Sequence, residues 1–340
     1  MANSLRERQN NKTISREQAL IQDIFAPLAQ SPEALGLKDD AALVLQKAGC
    51  DMIVTSDTLV AGVHFFASDP ADLVARKALR VNLSDLAAKG AVAQYYLLNI
   101  ALSDNVTRSW LKRFAKGLSD DQKTFGCALI GGDTVKTPGP LTLSITAYGD
   151  VPKGQMVKRG SARPGDLLYV SGFIGDGVLG LEVLRNAVGF MKAMSRADKT
   201  YFKQRYRLPE PRVSLAASLR EFATAAMDIS DGLAGDLALM CAASKVTAKV
   251  TASDIPFSSA ANRALARTPN LISKLVSGGD DYEILCAVPP KNAKDFEQAT
   301  ERAGVPVSRI GIFKAGKSQP QFVDSDGKVL ALDKLSYSHF

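Results

Sequence analysis

The sequence predicts a mixed α/β protein of two domains. The chain has 340 residues, of which 46% are hydrophobic and 23% charged, and this is enough apolar material for two packed cores. Strand-like apolar runs alternate with helical stretches in both halves. A segment rich in Gly, Lys and Arg, residues 151–166, ends in a turn before a new strand. We therefore expect an N-terminal extension over residues 1–16, a first domain over 17–150 and a second domain over 151–340.

The first half alternates between amphipathic stretches and short apolar runs. A helix is predicted near Glu17–Leu28, and a second over Asp72–Lys89 ends at Gly90, a residue typical of the position after a helix. A third predicted helix, Thr107–Leu118, carries large side chains at four-residue spacing on one face. Apolar runs predict strands at Met52–Thr55, Tyr95–Leu102, Cys127–Ile130 and Leu141–Gly149.

The second half shows the same mixture of elements. A strand at Leu167–Ser171 is followed by a predicted helix at Val178–Arg185 and then by a basic polar stretch. Further helices are predicted over Arg212–Ala226 and Gly232–Ala243. Strands are predicted at Ala248–Thr251, Tyr282–Val288 and Arg309–Phe313.

The composition argues against several classes of partner. The net charge of +7 suits anionic ligands, but no Lys/Arg stripe is interleaved with aromatic residues, so nucleic acid is not expected. No apolar run approaches the roughly 20 residues that span a membrane, and residues 1–18 lack the apolar core of a secretory signal. The four cysteines lie far apart without metal-ligand spacing, which fits free thiols in a reducing compartment. We expect a cytoplasmic protein.

Six acidic motifs are spread along the chain, and each alone has an ordinary explanation as a turn, a helix cap or a surface pair. Asp57 and Asp133 each follow a predicted strand and Asp281 precedes one, so all three are expected in the loop layer where sites form. Ser230 and Asp231 are predicted to open a helix as cap and first-turn residues. The motifs are Asp39-Asp40, Thr55-Ser56-Asp57, residues 82–85, residues 131–134, residues 228–231 and residues 278–283.

If several of these carboxylates converge, their mutual repulsion requires cations between them. Two unit charges about 4 Å apart repel by roughly 4 kcal/mol at an effective dielectric constant of about 20. Mg²⁺ suits such a cluster because it is a hard ion that takes oxygen ligands and bridges carboxylate to phosphate. The pattern therefore favours magnesium-dependent handling of phosphate groups, while the residues alone leave the convergence open.

Several other catalytic patterns are missing from the sequence. There is no GxxxxGK[ST] phosphate loop and no protein-kinase HRD or DFG set. Residues 175–180 match G-x-G-x-x-G, but the acidic residue that a dinucleotide site needs about 20 positions later is replaced by basic polar sequence. This glycine turn could bind phosphate or simply pack tightly. Only His64 and His339 are present, and His64 is either a substrate contact or structural.

The acidic motifs resemble those of the thiamine-monophosphate kinases, within the superfamily of aminoimidazole ribonucleotide synthetase. They occur in the family's order and spread from about Glu17 to Phe340. Lys38 replaces the usual Gly before the first Asp pair, and Asp280 replaces the usual Glu. The matching stretches are residues 39–43, 56–65, 82–88, 130–134, 228–233 and 277–283.

This resemblance implies ATP-dependent phosphorylation of thiamine monophosphate to thiamine diphosphate, in thiamine diphosphate biosynthesis, with Mg²⁺ as metal and ATP as co-substrate. It also implies two α/β domains, the N-terminal one forming a β-barrel-like interface in a homodimer. The catalytic residues implied by position are Asp57, Asp85, Asp133 and Asp231. The implied metal ligands are Asp40, Thr55, Ser56, Asp57, Asp85, Asp133, Asp228 and Asp231. The implied nucleotide contacts are Gly132, Arg159 and Ser230, and the implied substrate contacts are His64, Asp280 and Tyr337.

The implied chemistry needs no protein base. A phosphate monoester has its second pKa near 6, so the attacking phosphate is mostly dianionic at neutral pH. We expect direct in-line transfer without a phosphoenzyme, with positioning and electrostatic stabilisation lowering the barrier. Two alternatives stay open: another Mg-ATP-dependent synthetase of the same superfamily, such as a selenophosphate or purine-pathway synthetase, and a non-catalytic nucleotide-sensing dimer.

Overall fold

The computed structural model describes residues 15–186, 194–332 and 334–336. The chain separates into two compact units. The N-terminal unit contains the described residues up to 45 together with residues 56–79 and 94–147. The C-terminal unit contains residues 46–55 and 80–93 and the described residues from 148 onwards. Parts of the N-terminal secondary structure therefore belong to the C-terminal unit.

A four-stranded mixed sheet, in the order β1-β4-β2-β3, organises the first part of the chain. Strands β2 and β3 are parallel, with Tyr95 opposite Ala128 and Leu102 opposite Lys136. The sheet is open among the described residues, with β1 and β3 at its edges. The strands are β1 (Cys50–Val60), β2 (Val92–Leu102), β3 (Ala128–Lys136) and β4 (Thr142–Pro152), and the helices are α1 (Arg16–Leu20), α2 (Ala71–Ala88) and α3 (Arg108–Phe125).

The predicted first helix is shorter than expected. Ser15 caps it through a hydrogen bond from the Gln18 N–H at 3.0 Å, but the α-helical part ends at Leu20. The chain continues as a π-helical turn over Ile21–Phe25 and a 3₁₀ turn over Ala26–Leu28. Pro27, which lacks an N–H and cannot donate in an α-helical ladder, lies in this last turn.

Strands β1 and β3 are longer than predicted, and this corrects the positions of two aspartates. Asp57 and Asp133 lie inside these strands rather than after them. Gly132 permits the continuation of β3, because its φ is 146° and a Cβ there would lie 1.8 Å from the Leu98 carbonyl oxygen. A register shift at Tyr96 accompanies this close approach of the two backbones.

A six-stranded mixed sheet, in the order β10-β7-β9-β5-β8-β6, forms the centre of the C-terminal unit. Strands β10 and β7 are parallel, and the other neighbours are antiparallel. The strands are β5 (Leu167–Ser171), β6 (Ala225–Ile229), β7 (Val246–Thr251), β8 (Glu283–Val288), β9 (Val307–Ala315) and β10 (Gln321–Val323). The helices are α4 (Asp176–Leu184), α5 (Arg196–Arg207), α6 (Ala216–Phe222), α7 (Leu233–Ser244), α8 (Ser259–Arg267), α9 (Leu271–Ser277) and α10 (Ala293–Arg302).

Both faces of this sheet are covered by apolar side chains. Leu168 and Val170 of β5 join one buried cluster, while Leu167 and Tyr169 of the same strand join another. Successive side chains of a strand point to opposite faces, so a strand with two covered faces is apolar throughout. This explains why β5 appears in the sequence as a continuous apolar run without alternation.

One sequence prediction in this unit was wrong, and one helix lies in a stretch for which no element was predicted. The predicted helix over Arg212–Ala226 stops at Phe222, and the following residues form the edge strand β6, which pairs with β8. The basic polar stretch after residue 195 is helix α5, capped by the Ser195 hydroxyl and packed through Phe202 and Tyr206. In both cases tertiary packing, and not local sequence preference, determined whether the segment forms a strand or a helix.

Candidate functional site

The end of β6 and the loop that follows it carry three of the predicted site residues. Asp228 is the penultimate residue of β6, and Ser230 and Asp231 follow the strand. The predicted capping role of these two residues is wrong, because Gly232, with φ 113°, is the N-cap of α7. Asp236 in the first turn instead accepts the Asp231 N–H at 3.0 Å, so the helix holds the loop. Burial raises the pKa of Asp236 to about 7.

Two hydroxyl groups donate hydrogen bonds to two carboxylates, those of Asp85 near the C-terminal end of α2 and of Asp228 in β6. Thr55 of β1 donates its hydroxyl to Asp85 Oδ2 at 2.5 Å. Ser84, the residue before Asp85, is fully buried and donates to Asp228 Oδ2 at 2.8 Å; Asp228 is 8% exposed. Ser84 and Asp85 are consecutive residues of α2. Their hydrogen bonds therefore join this helix to Asp228 of β6 and to Thr55 of β1, and all four residues lie within the C-terminal unit.

Lys89 lies beside these carboxylates and was not singled out from the sequence. Its ammonium group donates to the Ala226 carbonyl oxygen at 2.8 Å. Burial lowers the pKa of Lys89, the carboxylates of Asp228 and Asp85 oppose this, and the charge of Arg159 lowers the pKa further. The available sequence signal was its position four residues after Asp85, which places both on one face of a helix.

Arg159, predicted to contact nucleotide, is exposed in a 3₁₀ turn over Arg159–Ser161. Its carbonyl oxygen accepts the Ser244 hydroxyl at 3.2 Å, which ties the turn to the end of α7. A Cβ on Gly160 would lie 2.9 Å from the Ala243 carbonyl oxygen, so the backbones of turn and helix are close. The Arg159 side chain thus projects from a turn that is held firmly.

The loop before β8 meets the loop after β6 through backbone hydrogen bonds. The Asp280 N–H donates to the Ser230 carbonyl oxygen at 2.8 Å, and the Tyr282 N–H donates to that of Ile229 at 2.8 Å. Asp280 and Tyr282 have φ of 70° and 52°, a left-handed conformation that favours Gly. The structure therefore brings the predicted substrate contact Asp280 next to the predicted nucleotide contact Ser230.

The glycine turn before α4 is filled by a carboxylate of the protein itself. Asp281, which is 2% exposed, accepts the N–H groups of Gly175 at 2.7 Å and Gly177 at 2.9 Å. A Cβ on Gly177 would lie 2.3 Å from the Asp280 carbonyl oxygen. Of the two explanations of this turn, tight packing is therefore favoured over phosphate binding, because its N–H groups already donate to the Asp281 carboxyl group.

Glu283 forms a buried ion-pair network that sequence reasoning missed. It accepts hydrogen bonds from Arg212 at 2.5 and 2.7 Å, from Arg205 at 3.2 Å and from the Ser171 hydroxyl at 2.6 Å. Its side chain is fully buried. A Cβ on Gly172 would lie 2.1 Å from Glu283 Oε1, so only Gly leaves room for the carboxylate. The network anchors the start of β8, directly after the Asp280 loop.

The N-terminal unit presents most of its predicted ligands on strand surfaces. Ser56 of β1 is exposed and donates to the Ile145 carbonyl oxygen at 3.2 Å. Asp57 is half-buried on the same strand, and Asp133 is exposed on β3 beside Gly132. Asp40 is exposed in the segment before β1, where its N–H donates to Asp39 Oδ1 at 2.8 Å.

His64 lies in a tight turn at the end of β1. Its Nδ1 accepts the Val60 N–H at 3.0 Å, and its carbonyl oxygen accepts the Lys77 ammonium group at 3.0 Å. His64 is half-buried, and the hydrogen bond from the Val60 N–H within the turn orients its ring. Tyr337, the third predicted substrate contact, lies outside the described residues.

The predicted metal ligands all offer oxygen atoms, the donor type that Mg²⁺ prefers. Among the described residues, no group of three or more His, Cys, Asp or Glu side chains is arranged to hold a metal ion. Two of the predicted ligands, Thr55 and Asp85, are hydrogen-bonded to each other, and a third, Asp228, accepts from Ser84, which was not a predicted ligand. None of the described helices is long and apolar enough to span a membrane.

Comparison with known families defines the class of this fold. The model for "AIR synthase related protein, N-terminal domain" matches residues 38–151, and that for "AIR synthase related protein, C-terminal domain" matches residues 163–321. The structure of the Escherichia coli hydrogenase maturation protein HypE shares the fold, with a TM-score of 0.74 at 20% identity over 93% of this chain and 97% of that chain. The chain thus has the two-domain α/β fold of the AIR synthase-related proteins.

More similar relatives within this class are thiamine-monophosphate kinases. The thiamine-monophosphate kinase of Caulobacter vibrioides is 42% identical over 93% of this chain and 88% of the relative, and that of Escherichia coli K12 is 39% identical over 90% and 92%. The chain belongs to the thiamine-monophosphate kinase family. The crystal structure of the Stenotrophomonas maltophilia kinase superposes with a TM-score of 0.80 at 36% identity, over 93% of this chain and 98% of that chain.

Proposed function

We propose that this protein transfers a phosphoryl group from ATP to thiamine monophosphate and so forms thiamine diphosphate, in thiamine diphosphate biosynthesis. The observation that carries the proposal is 42% identity to a thiamine-monophosphate kinase over 93% of the chain. A structure of AaThiL in complex with AMPPCP and TMP, 27% identical with a TM-score of 0.74 over 87% of this chain and 89% of that chain, supports an ATP-type co-substrate.

The acceptor phosphate attacks directly and no phosphoenzyme forms. A phosphate monoester is mostly dianionic at neutral pH, so no protein base has to remove a proton. The task of the protein is then to bring two anions together and to stabilise the charge of the transferred group. Trapping a covalently labelled protein during turnover would contradict this mechanism.

Mg²⁺ is the metal of the proposed site. When bound, it supplies electrostatic stabilisation of the phosphate oxygens. The oxygen donors fit this ion, and the hydroxyl groups of Thr55 and Ser84 fix the orientation of Asp85 and Asp228. The residues that would hold the metal are Asp40, Thr55, Ser56, Asp57, Asp85, Asp133, Asp228 and Asp231, of which Asp57, Asp85, Asp133 and Asp231 are proposed to be essential for catalysis.

Nucleotide and substrate are assigned to neighbouring loops. Gly132, Arg159 and Ser230 are the proposed nucleotide contacts, and the hydrogen bond from the Asp280 N–H to the Ser230 carbonyl oxygen supports placing substrate beside nucleotide. The proposed substrate contacts are His64, Asp280 and Tyr337. Asp280 carries a shorter side chain than the usual Glu, but its left-handed backbone is held from both sides by the Ser230 and Gly177 contacts.

The proposed organisation is a cytoplasmic homodimer in which the N-terminal domains pair through a barrel-like interface. The open sheet with edge strand β1 supports such pairing. Exposed apolar side chains alternate along that strand at Met52 and Val54. Four free cysteines support a reducing compartment. The proposed domains are residues 17–150 and 151–340, preceded by an extension.

The proposed function is tested by following both phosphates of the product. Purified protein with Mg-ATP and thiamine monophosphate is expected to form thiamine diphosphate and ADP in equal amounts, measured by phosphorus NMR and chromatography. Thermal stabilisation is measured in parallel with Mg-ATP, with and without thiamine monophosphate. Stabilisation by Mg-ATP without product would favour another synthetase of the superfamily or a nucleotide sensor.

A further inference from the structure

Lys89 is a cationic side chain beside two of the proposed metal ligands. It follows helix α2 directly, and its backbone N–H donates to the Asp85 carbonyl oxygen at 3.1 Å. Its ammonium group donates to the carbonyl oxygen of Ala226, two residues before Asp228 in β6, at 2.8 Å. Lys89 is thus anchored to both elements that carry these carboxylates, and all four residues lie in the C-terminal unit.

The backbone around Lys89 is held from two further sides. The Lys89 carbonyl oxygen accepts the Val157 N–H at 3.1 Å, and the Arg220 guanidinium donates to the carbonyl oxygen of Gly90. A Cβ on Gly90, whose φ is 73°, would lie 2.6 Å from Arg220 Cγ, so this side chain packs directly on the turn. The ammonium group therefore extends from a constrained backbone and not from a loose helix end.

The surroundings of the Lys89 ammonium group are mainly negative. Burial lowers the pKa of Lys89, and the carboxylates of Asp228 and Asp85 act against this lowering. The charge of Arg159 lowers the pKa further, so a second cation lies on the same side of the cluster. The C-terminal end of α2 adds a partial negative charge. Partial burial of a lysine is costly unless opposite charges compensate it, and here the two carboxylates do so.

The two carboxylates are oriented by groups that carry no charge. Thr55 donates its hydroxyl to Asp85 at 2.5 Å, and Ser84 donates its hydroxyl to Asp228 at 2.8 Å. Because Ser84 and Asp85 are consecutive, both carboxylates lie at the same end of α2. The hydroxyl groups fix their direction but leave their mutual repulsion in place. Lys89 supplies a cation to this pair from the chain itself.

We infer that Lys89 is a positioning residue that acts as a built-in counter-ion of Asp85 and Asp228. It holds the two carboxylates together while no metal is bound, and it weakens Mg²⁺ binding because it repels the incoming ion. The inference rests on the proposed function, since it takes Asp85 and Asp228 as ligands of Mg²⁺. The competing explanation is purely structural: Lys89 would only tie the end of α2 to β6 through Ala226.

Thermal unfolding of the full chain, first in EDTA and then over a series of Mg²⁺ concentrations, tests this inference. Lys89→Met removes the charge and keeps a side chain of similar length. In EDTA the variant is expected to unfold about 3–6 °C below wild type, because the carboxylates repel each other without a cation. At saturating Mg²⁺ the two proteins are expected to unfold within about 1 °C of each other, since the ion replaces the missing charge. The Mg²⁺ concentration at the midpoint of this stabilisation is expected to be about fivefold lower in the variant.

Two further variants separate charge from hydrogen bonding. Lys89→Gln keeps an N–H donor for the Ala226 carbonyl oxygen but carries no charge, so it is expected to respond to Mg²⁺ as Lys89→Met does. Lys116→Met is the matched control, because Lys116 forms an exposed ion pair with Asp120 on α3. The control is expected to change the unfolding temperature by less than about 1 °C, with or without Mg²⁺, and to leave the Mg²⁺ midpoint unchanged.

Three results would overturn the inference. They are an equal loss of stability in EDTA and in Mg²⁺, an unchanged Mg²⁺ midpoint in Lys89→Met, and failure of both Lys89 variants to fold even at saturating Mg²⁺. Wild-type stability indicates a structural tie if Lys89→Gln alone retains it. Product formation by wild-type protein is measured in parallel, so that any of these results alongside thiamine diphosphate formation leaves the proposed function intact. The expected Mg²⁺ response without any product would instead remove the proposed function and support the role of Lys89.

Discussion

Carboxylates in the two units differ in what surrounds them. In the C-terminal unit, Asp281 and Glu283 are at most 2% exposed, and each accepts at least two hydrogen bonds from the protein. In the N-terminal unit, Asp40 and Asp133 are exposed; the Asp40 N–H donates to Asp39 Oδ1, and the Asp133 carboxylate accepts the N–H of the adjacent Thr134. The difference teaches that the acidic motifs combine two roles: buried members hold loops in place, and exposed members can receive cations.

Removal of the buried Glu283 carboxylate tests the first role and is expected to have the largest effect. Glu283→Ala leaves Arg205 and Arg212 without their buried partner, and breaking a buried ion pair in this way costs about 3–5 kcal/mol. Urea denaturation measures the free energy of unfolding. Glu210→Ala is the matched control, because Glu210 contacts the same two arginines but has a 60% exposed side chain.

The control is expected to cost less than about 1 kcal/mol, as is usual for exposed ion pairs. Equal losses in Glu283→Ala and Glu210→Ala would show that burial does not distinguish the two groups of carboxylates. A loss confined to Glu283→Ala would sharpen the comparison, because the two glutamates share their partners and differ in exposure.

Asp133→Asn tests the second role. The side chain is exposed, so the free energy of unfolding is expected to change by less than about 0.5 kcal/mol. Turnover of thiamine monophosphate is expected to fall at least about 100-fold, because charge stabilisation is lost at a reacting phosphate. Asp120→Asn on the exposed face of α3 makes the same chemical change and is expected to retain wild-type turnover. An active Asp133→Asn protein would remove Asp133 from the proposed metal site.

The pH dependence of the free energy of unfolding is a second test of the buried carboxyl groups. Burial raises the pKa of Asp176 above its ordinary value of 3.8, although Tyr201 and Ser258 donate hydrogen bonds to it at 2.5 and 2.7 Å. The protonated form of Asp176 is favoured in the folded state. The contribution of this group to the free energy of unfolding is therefore complete below pH 3.8 and is lost as the pH rises through its pKa in the folded protein. The contribution of Asp176 to the free energy of unfolding therefore falls with rising pH, by at most about 1.4 kcal/mol per pH unit.

Asp176→Asn is expected to lack this dependence, so its stability relative to wild type should increase as the pH rises above about 4. Denaturation at a series of pH values measures the difference. A stability difference between variant and wild type that stays constant with pH would mean that Asp176 titrates normally in the folded protein. It would also argue against a structural role for the buried carboxylates of the C-terminal unit.

Thiol reactivity provides the smallest expected effect. Burial raises the pKa of the thiols of Cys127 and Cys286 to about 12 and that of Cys241 to about 11, so few thiolates form near neutral pH. Cys50 is half-buried. A thiol reagent is expected to modify one cysteine rapidly in native protein and none in Cys50→Ser. Rapid modification of several thiols in the native state would contradict the burial of the other three.

The positions of strands and helices could be predicted from local sequence patterns where the pattern of buried residues was regular. Strand β5 was predicted with its observed bounds, Leu167–Ser171, because both faces of that strand are apolar. Helix α7 was predicted within one residue at each end. The predicted helix Arg212–Ala226 ran into the first two residues of β6, because alanines fit a helix and only pairing with β8 selects the extended form.

The sequence by itself determined the mixed α/β class, the acidic motifs and the preference for a cation bound to oxygen, since these depend on residue type and spacing. Only the tertiary structure decided which carboxylates serve the fold. Asp281 fills the glycine turn of α4, and Glu283 lies between two arginines, through contacts that span more than 70 residues. Such contacts depend on chain topology and burial, and neither is visible in local sequence.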